Sequence, residues 1–273
     1  MDRKRREESA IKDRIKEKQN EKSEGMERVV LTRLHLSASA LKYLALLAMT
    51  ADHIAVICRP VPGFRTFGDL AFPLFAFLLV EGFFHTRDRR CYGRRLLLAA
   101  VVSEIPYDLA FSGRWMDAQH QNVCLTFFLA LVAMELLERY GNGIWEKLVL
   151  TAVFCTLTEA AGADGGAWGM GMVLAFYFCV IGNSLEFPIT QKGTNVPRNI
   201  LFHEKTAGVF MKIIVAVLIG AFAWQEPLWV LALTAVCFML YDGSRGRSIF
   251  RSFFYVYYPA HLLTLYFVGK WLG

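Results

Sequence analysis

From about residue 37 onward the chain is a succession of apolar runs, each about 17–20 residues long, set apart by short polar stretches. A helix of that length spans a hydrocarbon core about 30 Å thick. Backbone amides in lipid must find their partners within the protein, which leaves helices and closed barrels. The runs do not alternate apolar with polar residues, so they exclude barrel strands. Nine segments lie near residues 38–58, 67–85, 95–111, 122–138, 145–161, 166–183, 208–224, 226–241 and 251–270. Pro227, just after a tight "WQE" connection, suits the first turn of a helix. The expected fold class is all-α, a polytopic transmembrane helical bundle of about nine spans.

Residues 1–36 differ in kind. They hold eleven Lys/Arg and eight Asp/Glu, mixed in sign, and too few apolar residues to build a core. They also lack the short apolar region of a secretory signal. The expected organisation is a disordered, charged cytosolic tail over 1–36 and a membrane domain over 37–273. With the tail inside, the inner loops carry Arg87, Arg89, Arg90, Arg94 and Arg95, then Arg139 and Lys147, then Lys192, Arg198 and Lys205, then Arg245, Arg247 and Arg251. The outer loops carry only Arg59, Arg65 and Arg114. This bias predicts a multi-pass protein of the cytoplasmic (inner) membrane, N-terminus cytosolic and C-terminus outside. Topology thereby accounts for the net charge of +6, and no nucleic-acid partner is expected. The six cysteines are scattered singly, with no CxxC pair and no histidine at ligand spacing, so no metal is expected.

Ionisable residues inside the apolar runs carry the functional signal, because each costs about 2.5–3.5 kcal/mol at bilayer centre on insertion scales. They are Lys42, Asp52 and His53 on the first span, Asp69, Glu81 and His85 on the second, Glu104 and Asp108 on the third, and His261 on the last. Lys42 and His53 stand eleven positions apart. At 100° per residue they share one helix face, roughly 16 Å apart along the axis. Asp52 points about 100° away from His53. Glu81 with His85, and Glu104 with Asp108, each share a face at i, i+4. An imidazole in such a low-dielectric place is held neutral unless a carboxylate supports it, and with that support it can accept a proton near neutral pH. On the cytosolic side, Arg87, Arg94, Arg95, Arg245 and Arg247 form a candidate mouth for an anionic ligand, since guanidinium forks suit phosphates.

The stretches "LKYLALLAMTADHIAVI", "LAFPLFAFLLVEGFFHTRDRRCYGRRLLLAAVVSEIPYDLAF", "NVCLTFFLAL" and "SRGRSIFRSFFYVYYPAHLLTLYF" resemble the TraX family, in order, from about residue 40 to 268. The resemblance implies an integral membrane acyltransferase that draws acetyl groups from acetyl-CoA. The activity for which the family is named is acetylation of a pilin amino terminus. The resemblance extends to a pattern of the wider membrane acyltransferase superfamily, in which ten residues separate a basic residue from the active-site histidine; Lys42 and His53 have ten residues between them. Two positions depart from the family pattern: Asp69 follows Gly68, and Asp242 opens "DGSRG". Both bring a negative charge where acyl-CoA contacts would otherwise be carried over.

The resulting expectation is transfer of an acetyl or short acyl group to an amine or hydroxyl at or beyond the membrane. Acyl-CoA, membrane lipid and a pilin-like peptide or surface glycan are the expected partners. His53 is the expected general base, with Asp52 and Glu104 as further catalytic candidates. Lys42 and the inner arginines would hold the CoA phosphates. Glu81, His85, Asp108 and His261 are candidates for holding the acceptor. Two other functions use the same residues: a proton-coupled transporter or flippase, and a non-catalytic factor for assembling a surface appendage. No repeat relates the two halves, which weighs against the transporter.

Overall fold

The computed structural model describes residues 35–58, 61, 63–184, 206–246 and 253–272. Most of the tail, and the cations Arg59, Lys192, Arg198, Lys205, Arg247 and Arg251, lie outside the described residues. Among the described residues there is no β-strand beyond two isolated bridges, Leu36 with Tyr241 and Gln121 with Ala163.

Helix α1, Ala38–His53, starts where the Ser37 side chain accepts from the Ala40 amide. It holds no Gly or Pro, and it continues as a π-helical turn over Ile54–Cys58. His53 is therefore the last residue before the helix widens, a feature frequent at functional sites. Gly63, at φ 82°, turns the chain into a short helix α2, Phe64–Gly68. After Asp69 and Leu70 follows α3, Ala71–His85. The second apolar segment is thus broken near its start. The break lets Gly68 lie directly on α1, where any Cβ would collide with the Cβ of Asp52.

Helix α4, Arg89–Phe111, begins six residues before the segment expected at 95–111. Asp88 caps it, accepting from the Cys91 amide at 2.9 Å, and the arginine-rich turns stay helical on the charged side of the apolar run. Pro106 sits inside it. Helix α5, Val123–Tyr140, is capped by the Asn122 side chain. Then come α6, Ile144–Ala160, α7, Gly166–Ser184, α8, Thr206–Phe222, α9, Leu228–Leu240, and α10, Phe253–Leu272. Pro227 is the N-cap of α9. These helices fall on the nine apolar segments.

Helix α10 packs along α4, α1 packs on α2 and α3, and α3 and α7 lie against each other near the centre. Leu74, Phe77, Leu79, Val80 and Phe83 of α3 are buried, as are Met170, Met172, Phe176 and Tyr177 of α7. Glycine allows this closeness: at Gly169 a side chain would run into the Phe72 ring. The outward faces are apolar too. Leu98, Val101 and Val102 on α4, and Leu148, Val149 and Val153 on α6, are more than half exposed. Two helical stretches, Ala38–Cys58 and Phe64–His85, are long and apolar enough to cross a bilayer.

Candidate functional site

Helices α1 and α10 run side by side in the same direction, and their seam collects the polar groups. Lys42 lies over the Phe254 ring at 5.7 Å. Farther along, the hydroxyls of Thr50 and Tyr257 are 2.8 Å apart. Thr50 already donates to the Leu46 carbonyl, so the Tyr257 hydroxyl donates to Thr50. One turn on, His53 Nδ1 lies 2.8 Å from His261 Nε2. Beyond that, Cys58 Sγ approaches the Leu265 carbonyl at 3.7 Å. Lys42 and His53 therefore face the same neighbour along one unbroken helix, and the rise per residue keeps them about 16 Å apart.

His53 and His261 are each 8% exposed. The two imidazoles are inclined by only 7°, with centroids 5.0 Å apart. Phe111 of α4 meets His53 edge-on at 5.3 Å, and Tyr258 lies 6.4 Å away. His261 Nδ1 is 3.0 Å from the carbonyl oxygen of Tyr257. The partner of His53 is thus another histidine rather than a carboxylate.

The carboxylates expected around it are engaged elsewhere. Asp52 faces away from the seam and pairs with Arg65 at 3.4 Å. Glu104 Oε2 accepts from the side-chain amide of Asn122, and that amide also donates to the Ala100 carbonyl at 2.8 Å. Asp108 Oδ2 accepts from the Asp117 backbone amide at 2.8 Å, tying down the connection between α4 and α5. Glu104 Oε1 and Asp108 Oδ1 are buried without a hydrogen-bond partner.

Glu81 and His85 lie at the Lys42 end of the bundle. Tyr241, bridged to Leu36 beside the start of α1, donates to Glu81 Oε2 at 3.1 Å. Glu81 Oε1 is 3.8 Å from Lys212 Nζ, and that ammonium lies over the Phe77 ring at 4.9 Å. His85 Nδ1 is 2.8 Å from the Glu81 carbonyl, an i, i+4 contact on its own helix. So the structure separates Glu81 and His85 from Glu104 and Asp108, placing the two pairs at opposite ends.

Among the inner cations, Arg245 is held beside Lys42. Its backbone carbonyl accepts from Ser39 Oγ at 2.8 Å, and its charge acts on the Lys42 ammonium. Gly246, at φ 66°, gives that loop the room to lie against Ser37 and Ser39. Arg95 is exposed, and its charge reaches Tyr92 and Tyr255. Arg87 and Arg94 are exposed. Arg247 falls outside the described residues. Arg89 pairs instead with Glu135 and Glu138 and lies over the Phe83 ring.

Three residues that the sequence did not single out matter here. Tyr257 anchors both Thr50 and His261, Asn122 joins α4 to α5, and Lys212 is buried beside Glu81. Only Lys212 carried a visible signal, as a lone lysine within "VFMKIIVAVL".

A family model described as TraX protein matches residues 37–269. The chain belongs to the TraX family. The matched span contains the whole seam, from Lys42 to His261, and excludes the charged tail. A curated relative, the probable fimbrial assembly protein FimC, serogroup H1, of Dichelobacter nodosus, is 27% identical over 248 residues, covering 85% of this chain and 95% of the relative. No solved structure matches the chain. Membership gives a context for the seam, whose geometry stands independently of it.

Proposed function

We propose that this TraX-family chain is a multi-span protein of the cytoplasmic membrane, N-terminus inside, that transfers an acetyl or short acyl group from cytosolic acyl-CoA to an acceptor on the far side. The membrane assignment is supported by apolar residues on the outward helix faces, where a soluble protein would carry charge. With the spans alternating in direction, exposed Trp115 just past α4, Trp168 and Trp229 near the starts of α7 and α9, and Trp271 at the end of α10 fall on one side of the bundle and Trp145 on the other, in keeping with interfacial belts. The parallel course of α1 and α10 agrees with an odd number of crossings between them. The name of the fimbrial relative favours a pilus-related acceptor, such as the free amino terminus of a pilin-like peptide; a surface glycan fits the same chemistry.

The observation that carries the acyltransferase reading is the seam itself. A cationic end, Lys42 with Arg245, is joined by one continuous helix face to a buried imidazole. A nucleotide-bearing thioester would rest its phosphates at the first and extend its acyl group toward the second. His53 would take the proton from the acceptor nitrogen or oxygen as that atom attacks the thioester carbonyl. The carbon–sulfur bond then breaks, and the imidazolium returns the proton to the departing thiolate. General-base help of this kind is worth about 10²–10⁴-fold. The test is acyl transfer from labelled acetyl-CoA to a pilin-like peptide in proteoliposomes. His53→Ala protein that inserts and folds should lose transfer; retained turnover removes His53 from the chemistry.

A second reading, a proton-coupled transporter or flippase, draws on the buried Glu81–Lys212 pair, which lies away from the seam. Substrate flux driven by a proton gradient without any acyl-CoA would establish it over the enzyme.

A further inference from the structure

We infer that His261 is the positioning residue that sets the tautomer of His53, so that Nε2 of His53 is the basic atom; this rests on the reading of His53 as general base. The assignment starts at the backbone. The Tyr257 carbonyl can only accept, so His261 Nδ1, 3.0 Å away, carries a proton. A neutral imidazole has one N–H, so His261 Nε2 is an acceptor. It lies 2.8 Å from His53 Nδ1, so that nitrogen donates. The lone pair of His53 is left on Nε2.

Each link is held by something rigid. An imidazole lone pair lies in the ring plane, and the 7° inclination of the two rings suits an in-plane N–H···N bond. Tyr257, whose carbonyl anchors the series, is itself fastened to α1 through Thr50. Phe111 stands edge-on against His53 and Tyr258 flanks it, which resists rotation of the ring. Among the described residues no carboxylate is hydrogen-bonded to His53 Nδ1; Asp52 is turned to Arg65 and Glu104 to Asn122.

The chemical consequence concerns one proton. When the acceptor gives its proton to His53 Nε2, the imidazolium keeps its Nδ1–H bond to His261 Nε2. That neutral partner orients the ring without holding the charge as tightly as a carboxylate would, so the proton can pass on to the thiolate sulfur. His261 begins and ends the cycle with its own proton on Nδ1.

Nitrogen-15 NMR of histidine-labelled full-length protein in nanodiscs tests the assignment, with the His53→Gln variant identifying the resonances. The expected result is a protonated Nδ1 and a bare Nε2 on His53. A bare Nδ1 with a protonated Nε2 would overturn it. In the transfer assay His261→Gln, whose amide oxygen can accept from His53 Nδ1, should stay within about tenfold of the parent, while His261→Leu falls by about 10²–10⁴-fold in kcat at similar KM for acetyl-CoA. Equal losses in the two variants would refute the positioning role, and the NMR result on the unmodified chain decides even if His261→Leu does not fold. Active His53→Ala protein sinks the general-base reading and leaves the tautomer to the spectrum. Inactive His53→Ala with a protonated Nε2 sinks the tautomer alone.

Discussion

Asp52 and His53 are adjacent in the chain yet serve different neighbours: Asp52 reaches Arg65 at 3.4 Å, and His53 reaches His261 on α10. The 100° step between successive helical residues sends them to different surfaces of α1. Arg65 is largely exposed, so the ion pair is a weak one. Asp52→Asn should therefore cost less than about 1 kcal/mol in stability and leave acyl transfer within several-fold of the parent. A loss as deep as that of His53→Ala would show that Asp52 acts in the site after all.

Gly68 is the position where α2 touches α1, and a methyl group there would collide with Asp52 Cβ. The contact is with the stem of the side chain and backbone, which cannot swing aside. Gly68→Ala should destabilise the protein by about 1–3 kcal/mol or more, seen as a lower midpoint in detergent thermal unfolding. Unchanged stability would mean that α1 and α2 do not cross so closely.

Lys42 and Arg245 share the end of the seam opposite His53. Neutralising Lys42 removes a charge from the expected phosphate site without touching the imidazole. Lys42→Ala should raise the KM for acetyl-CoA by about ten- to a hundredfold, the loss of one hydrogen bond to a charged group, with little change in kcat. A fall in kcat at constant KM would move Lys42 to the reacting atoms.

Asn122 joins three tasks in one side chain: it caps α5, donates to the Ala100 carbonyl, and donates to Glu104. Asn122→Ala removes the cap and leaves the half-buried Glu104 carboxylate short of a donor. The expected loss is about 2–4 kcal/mol, measured as unfolding midpoint. Restoring much of that stability with a second change, Glu104→Gln, would confirm that the stranded carboxylate is the main cost.

Glu226 lies in the turn between α8 and α9, 8% exposed, with Oε2 unpartnered and directed at Gly220. Burial first, and then the charge of Asp69, pushes its pKa up to about 7 from an ordinary 4.5. The folded state thus holds this proton more tightly than the unfolded chain does. Its contribution is full below about pH 4.5 and is lost as the pH rises toward 7. Glu226→Gln should flatten that decline and raise stability at pH 8 by up to about 3 kcal/mol, read from melts across the pH range. A decline of the same size in the variant would assign it to another group.

The amino-acid sequence by itself determined the helical segments, because the length of an apolar run and the absence of alternation are local properties. It also put Lys42 and His53 on one stripe, because the period of a helix needs no partner to be known. Boundaries moved where a local cap or a contact intervened: Asp88 started α4 early, and Gly68 broke the second segment against α1. The sequence turned Asp52 away from His53, offered Glu81, Glu104, Asp108 and His261 as further groups for the site, and could not choose which of these would lie beside the imidazole. Only the tertiary structure decided that choice. Which helix lies beside α1 depends on packing between segments over two hundred residues apart in the chain, and a side chain's hydrogen-bond partner follows from that neighbour. Once α10 lies parallel to α1, the histidine is in reach of His53 and the carboxylates are held by loops and helices on other sides.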